Sequence, residues 1–190
     1  MSGPGTVRTQ VFNAREHSHL TVYLAGIHGE CITSDKMIGT FVSPLNIEKM
    51  LKWWKDRIAE TTAGNRVIIM LLSGAPDPAV KIHSDHLVGV AMLATPHVET
   101  SPFRASVESL LISSRYRRRG GSHVLLQAVE DQALMKGKTL LMAEMESGTT
   151  AEALFKKHAY QEAGMVPRYS LRPDNGDRRD AVFLYKDLSP

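Results

Sequence analysis

The fold is decided by the stretch Val107-Glu-Ser-Leu-Leu-Ile-Ser-Ser-Arg-Tyr-Arg-Arg-Arg-Gly-Gly-Ser-His-Val-Leu-Leu126. An apolar strand ends at Ile112, a basic turn with Gly120 and Gly121 follows, and an apolar-faced helix begins. The first amides of a helix have no acceptor within the helix, and the helix dipole adds about half a positive charge there. The junction therefore predicts an anion site, above all for a phosphate or a diphosphate.

Hydrophobic periodicity and turn residues on either side of this junction predict the remaining elements. In chain order we expect a strand Thr6–Phe12, a helix His19–Gly29, a loop Glu30–Val42, a helix from Ser43 to about Thr61, a strand Arg66–Leu72, a loop Ser73–Asp85, strands Leu87–Ala94 and Ala105–Ile112, a helix Gly121–Lys136, a strand Thr139–Glu146, a helix Thr150–Lys157, and strands Gln161–Tyr169 and Asp180–Leu188. The order predicts an α/β or α+β domain in which helices pack against a mixed sheet.

The composition is that of an ordinary globular protein. The 190 residues are 43% apolar and 23% charged with a net charge of +3, which suits one compact domain. No apolar run is long enough to span a bilayer, and no apolar segment of a signal peptide follows the opening residues. The single cysteine, Cys31, suits a reducing compartment, so we expect a cytoplasmic protein.

The basic turn resembles the acetyl-CoA signature of the GNAT superfamily of N-acetyltransferases. That signature is Gln or Arg, two residues, Gly, one residue, then Gly or Ala, and it matches Arg117, Gly120 and the small residue Ser122. The expected strand, short helix and aromatic residue follow downstream, ending at Tyr160. The resemblance implies a mostly antiparallel sheet of about six to seven strands with a splayed strand pair and about four flanking helices.

Further segments are similar to the tabtoxin-resistance branch of this superfamily, among them Glu146-x-Gly148, Val166-Pro-x-Tyr169 and the C-terminal run that ends in Tyr185-Lys-x-Leu188. The resemblance implies one GNAT domain over residues 1–190. Its parts would be an N-terminal acceptor-side part at 1–65, an acetyl-CoA-binding core at 66–160 and C-terminal strands at 161–190. It also implies acetyl-CoA as co-substrate and a small-molecule amine as acceptor, with toxin or antibiotic detoxification as a role.

The resemblance also implies which residues contact the cofactor. These are Leu110, Leu111, Ile112, Arg117, Arg118, Arg119, Gly120, Gly121, Ser122 and Phe155. The family commonly places a tyrosine at Phe155 as the acid that reprotonates the departing thiolate. Phenylalanine has no such proton, so Tyr160 or a water would replace it, or the thiolate would leave unaided.

Two glutamates are candidate general bases, since the reaction needs a neutral amine nucleophile. Glu108 lies on the strand where the superfamily often carries its base, although it could equally face solvent or pair with an arginine such as Arg104. Glu144 lies within the apolar run Leu140-Leu-Met-Ala-Glu-Met145, where we expect it to be partly buried. Glu146 shares its face of the strand and is a candidate acceptor contact or a solvated acid.

His28 and Tyr169 are further candidate acceptor contacts, although His28 could also be a core or capping histidine. Neither the histidines nor Cys31 show metal-ligand spacing, so we predict no metal.

We therefore expect an N-acetyltransferase for small amines that is a monomer or a homodimer and binds neither nucleic acid nor membrane. The alternatives are an acetyltransferase for protein N-termini or lysines, and an acyl-CoA-binding protein without catalysis.

Overall fold

The computed structural model of the chain describes residues 7–74, 82–83 and 86–189. Its elements are β1 (Val7–Val11), α1 (Ala14–His17), α2 (Thr21–Asp35), α3 (Ile47–Thr62), β2 (Arg66–Ser73), β3 (Leu87–Ala94), β4 (Arg104–Ile112), α4 (Gly121–Met135), β5 (Leu140–Glu146), α5 (Thr150–Lys157), β6 (Gln161–Leu171) and β7 (Arg178–Asp187). Most of the expected loop Ser73–Asp85, and Thr6 of the expected first strand, lie outside the described residues.

One sheet organises the described part of the chain. Its seven strands lie in the order β1-β2-β3-β4-β5-β7-β6, and all neighbours are antiparallel except β4 and β5. The described helices of eight residues or more are α2, α3, α4 and α5. The predicted mixed, mostly antiparallel sheet and its complement of helices are thereby confirmed.

Helices cover both faces of the sheet, and β2 shows how the sequence produces two cores. Successive side chains of a strand point to opposite faces. Ile69 and Leu71 pack in the core beneath α4 and α5, whereas Ile68 and Met70 pack beneath α2 and α3. Because both faces are buried, the strand is a continuous apolar run rather than an alternating one.

The helix predicted to end near Gly29 is longer than expected. Helix α2 continues to Asp35 and ends at Lys36, whose φ of 58° is in the left-handed region. A Cβ on Gly29 would lie 3.4 Å from side-chain atoms of Leu45 and Met50. These are ordinary van der Waals distances, and Gly29 lies inside the helix and does not terminate it.

The next helix starts later than the sequence suggested. The side chain of Asn46, not Ser43, caps α3 by accepting a hydrogen bond from the amide of Lys49. The amide of Ser43 instead donates to the carbonyl of Pro173 at 2.8 Å. The expected helix start was wrong because this tertiary contact holds Ser43 outside the helix.

Candidate active site

Strands β4 and β5 separate part of the way along their length. Their parallel pairing runs from Arg104 opposite Leu140 to Val107 opposite Ala143 and stops there. Just beyond this point β4 carries a bulge, where Ser109 has a φ of 50° and the register with β3 shifts. A bulge bends its strand away from the regular ladder. The facing edges of the two strands therefore form an open slot in which an extended chain could lie.

The loop that follows β4 presents main-chain amides at the start of α4. Arg118 and Gly120 adopt left-handed backbone angles, with φ of 58° and 80°. Within the described ranges, no acceptor takes a hydrogen bond from the amides of residues 118–122. We call residues 117–122 the amide loop. Its unpaired donors, placed at a helix N-terminus, match the anion site predicted from the sequence.

The two glycines of the amide loop serve different purposes. Gly120 supplies the left-handed conformation, and a Cβ there would meet open space. At Gly121 the requirement is spatial, because a Cβ would lie 2.7 Å from Cδ2 of Leu71 on β2. A larger residue at this position would require the buried Leu71 side chain to shift, or the helix start to move away from the sheet.

The loop has three arginines, of which Arg117 is bound to other parts of the described structure and the next two are exposed. The Arg117 guanidinium is ion-paired with Asp35, and its Nε donates to the carbonyl of Ile112 at 3.2 Å. Arg119 lies over the ring of Tyr116, with 5.2 Å between the guanidinium carbon and the ring centroid. Among the described residues, neither Arg118 nor Arg119 forms an ion pair, so both charges face solvent beside the amides.

The predicted cofactor contacts before the loop lie on both faces of β4. Leu110 and Ile112 are partly buried against the core beneath α4, and Leu111 is buried in the core beneath α2. They lie beyond Val107, in the part of β4 that no longer pairs with β5, and their contact with a cofactor stays a prediction.

Glu108 is tied into an ion-pair bridge. Its carboxylate accepts a 2.6 Å hydrogen bond from Nη1 of Arg66, whose Nε donates to Glu60 at 2.6 Å. Only 6% of the Arg66 side chain is exposed, so the guanidinium needs both carboxylates to offset its burial. These residues, with Asn65 and His97, line a cavity of about 490 Å³.

Glu144 lies where the slot opens, one residue beyond the last pair between β4 and β5. The expectation of partial burial is wrong, because its side chain is exposed. Its Oε2 accepts a hydrogen bond from the hydroxyl of Tyr169 at 3.2 Å, and the carboxylate's charge raises the pKa of that phenol. The Tyr169 ring packs edge-on against Phe183 with centroids 5.3 Å apart. Glu144 is therefore held in place while it remains accessible.

Glu146 lies further along the same face of β5. Its Oε1 is 3.7 Å from Nε of Arg179, and its carbonyl accepts a hydrogen bond from the Thr149 side chain at 2.8 Å. The structure brings Glu144, Glu146 and Tyr169 to one side of the open slot.

Phe155 and Tyr160 are both buried on the opposite face of the sheet. Their rings pack edge to face with centroids 4.8 Å apart. The Tyr160 ring lies 5.6 Å from Nζ of Lys186, a residue level with Leu141 in the paired part of β5. Its hydroxyl has no hydrogen-bond partner among the described residues, and burial, followed by the negative charge of Glu130, raises its pKa.

His28 is fully buried in a cluster of aromatic rings. Its ring centroid lies 5.2 Å from that of Trp53, 5.5 Å from that of Phe41 and 6.0 Å from that of Trp54. Neither ring nitrogen has a hydrogen-bond partner in the described part of the chain, and burial lowers the pKa to about 4. The imidazole is therefore neutral at physiological pH and is enclosed by aromatic rings, of which Phe41 and Trp53 are partly buried.

Three residues of the site were not identified from the sequence. Arg66 stood at the head of an apolar strand, a place where a charge needs a partner, but its partner Glu108 is 42 residues away. Glu30 and Asp35 were assigned to a loop, and their contacts with Ser114 and Arg117 exist only because α2 extends past Gly29. Periodicity could have located these side chains only if the end of the helix had been predicted correctly.

Comparison with known proteins assigns the family. The model of the Acetyltransferase (GNAT) family matches residues 47–160, more than half of the chain. The chain belongs to this family and is an acyltransferase, as the amide loop and the split strand pair suggested. The superfamily predicted from the sequence is confirmed, and the tabtoxin-resistance branch stays a prediction.

Solved structures with the same fold include proteins with different acceptors. One, provisionally assigned as a phosphinothricin N-acetyltransferase, is 20% identical with a TM-score of 0.74 and covers 97% of this chain and 100% of its own. The provisionally assigned acetyltransferase yncA from Salmonella typhimurium, solved with its cofactor acetyl-CoA, is 13% identical with a TM-score of 0.70 and coverages of 96% and 94%. A ribosomal-protein-alanine N-acetyltransferase from Brucella melitensis is 17% identical with a TM-score of 0.66 and coverages of 95% and 99%. At these identities the likeness establishes the fold.

The described ranges contain neither a helix suited to span a membrane nor a cluster of metal ligands. None of their helices is long and apolar enough to cross a membrane. No three His, Cys, Asp or Glu side chains within them are grouped as a metal ion would require.

Proposed function

We propose that this enzyme transfers the acetyl group of acetyl-CoA to the primary amine of a small molecule, with Glu144 as the general base. The observation that carries the proposal is the exposed Glu144 carboxylate, fixed by Tyr169 at the opening of the slot between β4 and β5. Acetyl-CoA supplies an acyl group activated as a thioester. The residues of this chain would bind the donor, position the amine and move its proton.

The amide loop fits the diphosphate of acetyl-CoA. The amides of residues 118–122 have no acceptor in the described structure, and the helix dipole and the charges of Arg118 and Arg119 attract anions. Gly121 keeps the helix start close to the sheet, so the amides lie directly after β4. The pantetheine arm would then lie along the slot, against the main chain of residues 110–112 and near Phe155.

Glu144 is the better placed of the two candidate bases. Its oxygens face solvent with one hydrogen bond from Tyr169, which leaves lone pairs free for an amine or for a bridging water. Glu108 instead already receives a short hydrogen bond from the buried Arg66. Glu108 would shape the cavity beside the slot, whereas Glu144 would take the amine proton as the nitrogen attacks the thioester carbonyl.

The departing thiolate needs a proton, and two donors are available. A CoA thiol resembles the thiol of cysteine, with a pKa of about 8.5, so water can supply the proton. The alternative is Tyr160, but its hydroxyl lies in a buried cluster level with the paired part of β5. We favour water entering through the open end of the slot.

Contacts across the acceptor side favour a small acceptor. The segment after α2 meets the turn between β6 and β7, where the Ser43 amide donates to Pro173 at 2.8 Å and Lys36 lies 3.9 Å from Asp174. These contacts tie the segment after α2 to the turn that follows β6, and we propose that this restricts the acceptor side to small amines. Amino-acid-like compounds, toxins and antibiotics with a primary amine fit this description, and detoxification would be the biological role.

We place the reaction in the cytoplasm, because the single cysteine is free and buried and suits a reducing compartment. A monomer and a homodimer are both compatible with the slot.

The test is acetyl-CoA turnover, measured as free thiol, across amino acids, phosphinic amino acids, aminoglycosides and peptides with N-terminal alanine or lysine. We expect turnover with a small amine and little with the peptides. Faster turnover with a peptide would show that the acceptor is a polypeptide and not a small amine. CoA binding without thiol release in the presence of any amine would indicate a non-catalytic acyl-CoA-binding protein.

The base is tested with single substitutions. We expect Glu144→Gln to lower kcat by a factor of about 100 with little change in CoA affinity, because only proton transfer is removed. Glu108→Gln should have a smaller effect, and Glu99→Gln, in an exposed turn between β3 and β4, is the matched control. Loss of rate in Glu108→Gln alone would reassign the base.

A further inference from the structure

The last two turns of α2 are bound to the segment that leads into the amide loop. Oε1 of Glu30 accepts a hydrogen bond from the amide of Ser114 at 2.9 Å. Asp35 forms an ion pair with the guanidinium of Arg117. Between them, Sγ of Cys31 lies 3.7 Å from the carbonyl of Ile112 and 3.8 Å from Nη2 of Arg117. Two acidic side chains of α2 therefore hold both ends of the turn from Ser114 to Arg117.

Arg117 closes this turn from the inside. Its Nε donates to the carbonyl of Ile112 at 3.2 Å while its Nη1 contacts Asp35. A guanidinium has a fixed fork of donors, and this one is directed at the protein rather than at solvent. Burial alone would lower the pKa of Arg117, but the hydrogen bond and charge of Asp35 raise it overall. Arg117 is thus placed to hold the loop, and Arg118 and Arg119 are left to meet an anion.

The loop needs such support because its conformation is unfavourable in isolation. Arg118 and Gly120 both have left-handed backbone angles, and that conformation is strained for the non-glycine residue Arg118. These angles set the directions of the amides of residues 118–122, which have no acceptor in the described ranges. Contacts that hold the turn in front of them therefore preorganise the anion site.

From these contacts we propose that Asp35 and Glu30 are positioning residues for the diphosphate of acetyl-CoA, acting through Arg117 and Ser114. The inference rests on the proposed function, since it takes the amide loop as the diphosphate site. It goes further by making the end of α2, on the acceptor side of the enzyme, part of the donor site. The same helix end reaches the β6–β7 turn through Lys36 and Asp174.

The direction of the effect separates positioning from simple electrostatics. Asp35 and Glu30 are negative charges near the bound diphosphate, so neutralising either would tighten CoA binding if charge alone mattered. If these side chains hold the loop, neutralising them weakens binding instead. The opposite signs make the outcome decisive.

The experiment is calorimetric titration of the full chain with CoA, using wild type, Asp35→Asn, Glu30→Gln, Arg117→Gln and the double variant Asp35→Asn/Arg117→Gln. We expect the Kd to rise about tenfold in each single variant, which is a typical coupling strength. The double variant should bind no more weakly than Arg117→Gln, because both changes break one interaction. Asp56→Asn is the matched control, since it neutralises an exposed carboxylate paired with Lys52 on α3.

A second readout guards against general destabilisation. With acetyl-CoA as the varied substrate, Asp35→Asn should raise KM and leave kcat close to that of the wild type, a split that partial unfolding would not produce. Unchanged or tighter CoA binding in Asp35→Asn and Glu30→Gln would overturn the inference while leaving the proposed function intact. A wild-type protein that does not bind CoA would overturn both.

Discussion

His28 makes this protein sensitive to acid in a way that can be calculated. In the folded protein burial lowers its pKa from 6.5 to about 4. As the pH falls below 6.5 the unfolded chain binds a proton at His28 before the folded chain does. The free energy of unfolding therefore decreases from pH 6.5 down to about 4. At about 1.4 kcal/mol for each tenfold difference in proton affinity, the full loss is about 3.5 kcal/mol.

This loss is large against the 5–15 kcal/mol that is typical of the unfolding free energy of a domain, and it is attributable to one side chain. The perturbation is His28→Phe, which keeps an aromatic ring among Phe41, Trp53 and Trp54 and removes both unpartnered nitrogens. At neutral pH we expect the variant to be as stable as the wild type or more so, since unpaired buried polar atoms destabilise. Between neutral pH and pH of about 4.5 it should lose about 2–3 kcal/mol less than the wild type.

The assay is urea unfolding at both pH values, followed by far-UV circular dichroism. Tryptophan fluorescence is unsuitable, because His28 lies against both tryptophans and its charge would alter their emission. His28→Leu provides a second neutral replacement should phenylalanine pack poorly, and His97→Gln, at an exposed position, is the control. Parallel pH profiles for the wild type and both His28 variants would refute the calculation and the neutral, buried state of this ring.

Three further predictions concern a close contact at the amide loop, the ion pairs of Arg66 and the proton donor to the thiolate. Gly121→Ala should lower the free energy of unfolding by about 1–3 kcal/mol and weaken CoA binding, because its Cβ would lie 2.7 Å from the Leu71 side chain. Equal CoA affinities of the variant and the wild type in calorimetric titration would contradict this prediction. Arg66→Met should lower the free energy of unfolding, measured by urea denaturation, by about 2 kcal/mol, which is less than for a fully buried pair because Glu108 is 41% exposed. An unchanged midpoint of urea unfolding would show that the ion pairs of Arg66 do not stabilise the fold. Tyr160→Phe should change kcat by less than about threefold in the thiol-release assay, because we propose that water protonates the thiolate. General acid catalysis contributes about 100-fold or more, so a loss of about 100-fold would make Tyr160 the proton donor.

Strands β2 to β7 were predictable because their signals are local. Apolar runs bounded by glycine, proline and polar residues defined β2 to β7 with ends that differ by at most two residues from those of the structure. The position of the amide loop was equally predictable, since the change from an apolar strand to Arg117, Gly120 and an apolar-faced helix occurs within a few residues. Local backbone chemistry decides both, so one sequence sufficed.

The predictions that were wrong concern residues whose behaviour depends on distant partners. Gly29 was taken as a helix end, but α2 continues to Asp35, whose partner Arg117 lies far along the chain. Glu144 was expected to be partly buried because its neighbours are apolar, but β5 has left β4 at that residue and exposes it. Periodicity contains no information about where two parallel strands separate.

The sequence by itself determined the class of fold and the position of the loop that we propose as the diphosphate site, because helix starts, glycines and apolar strands act over a few residues. Only the tertiary structure decided the state of each charge. Arg66 holds Glu108 across 42 residues, and Asp35 holds Arg117 across 82. The protonation and freedom of a side chain depend on what lies within a few ångströms of it, and folding brings those atoms together from remote parts of the chain.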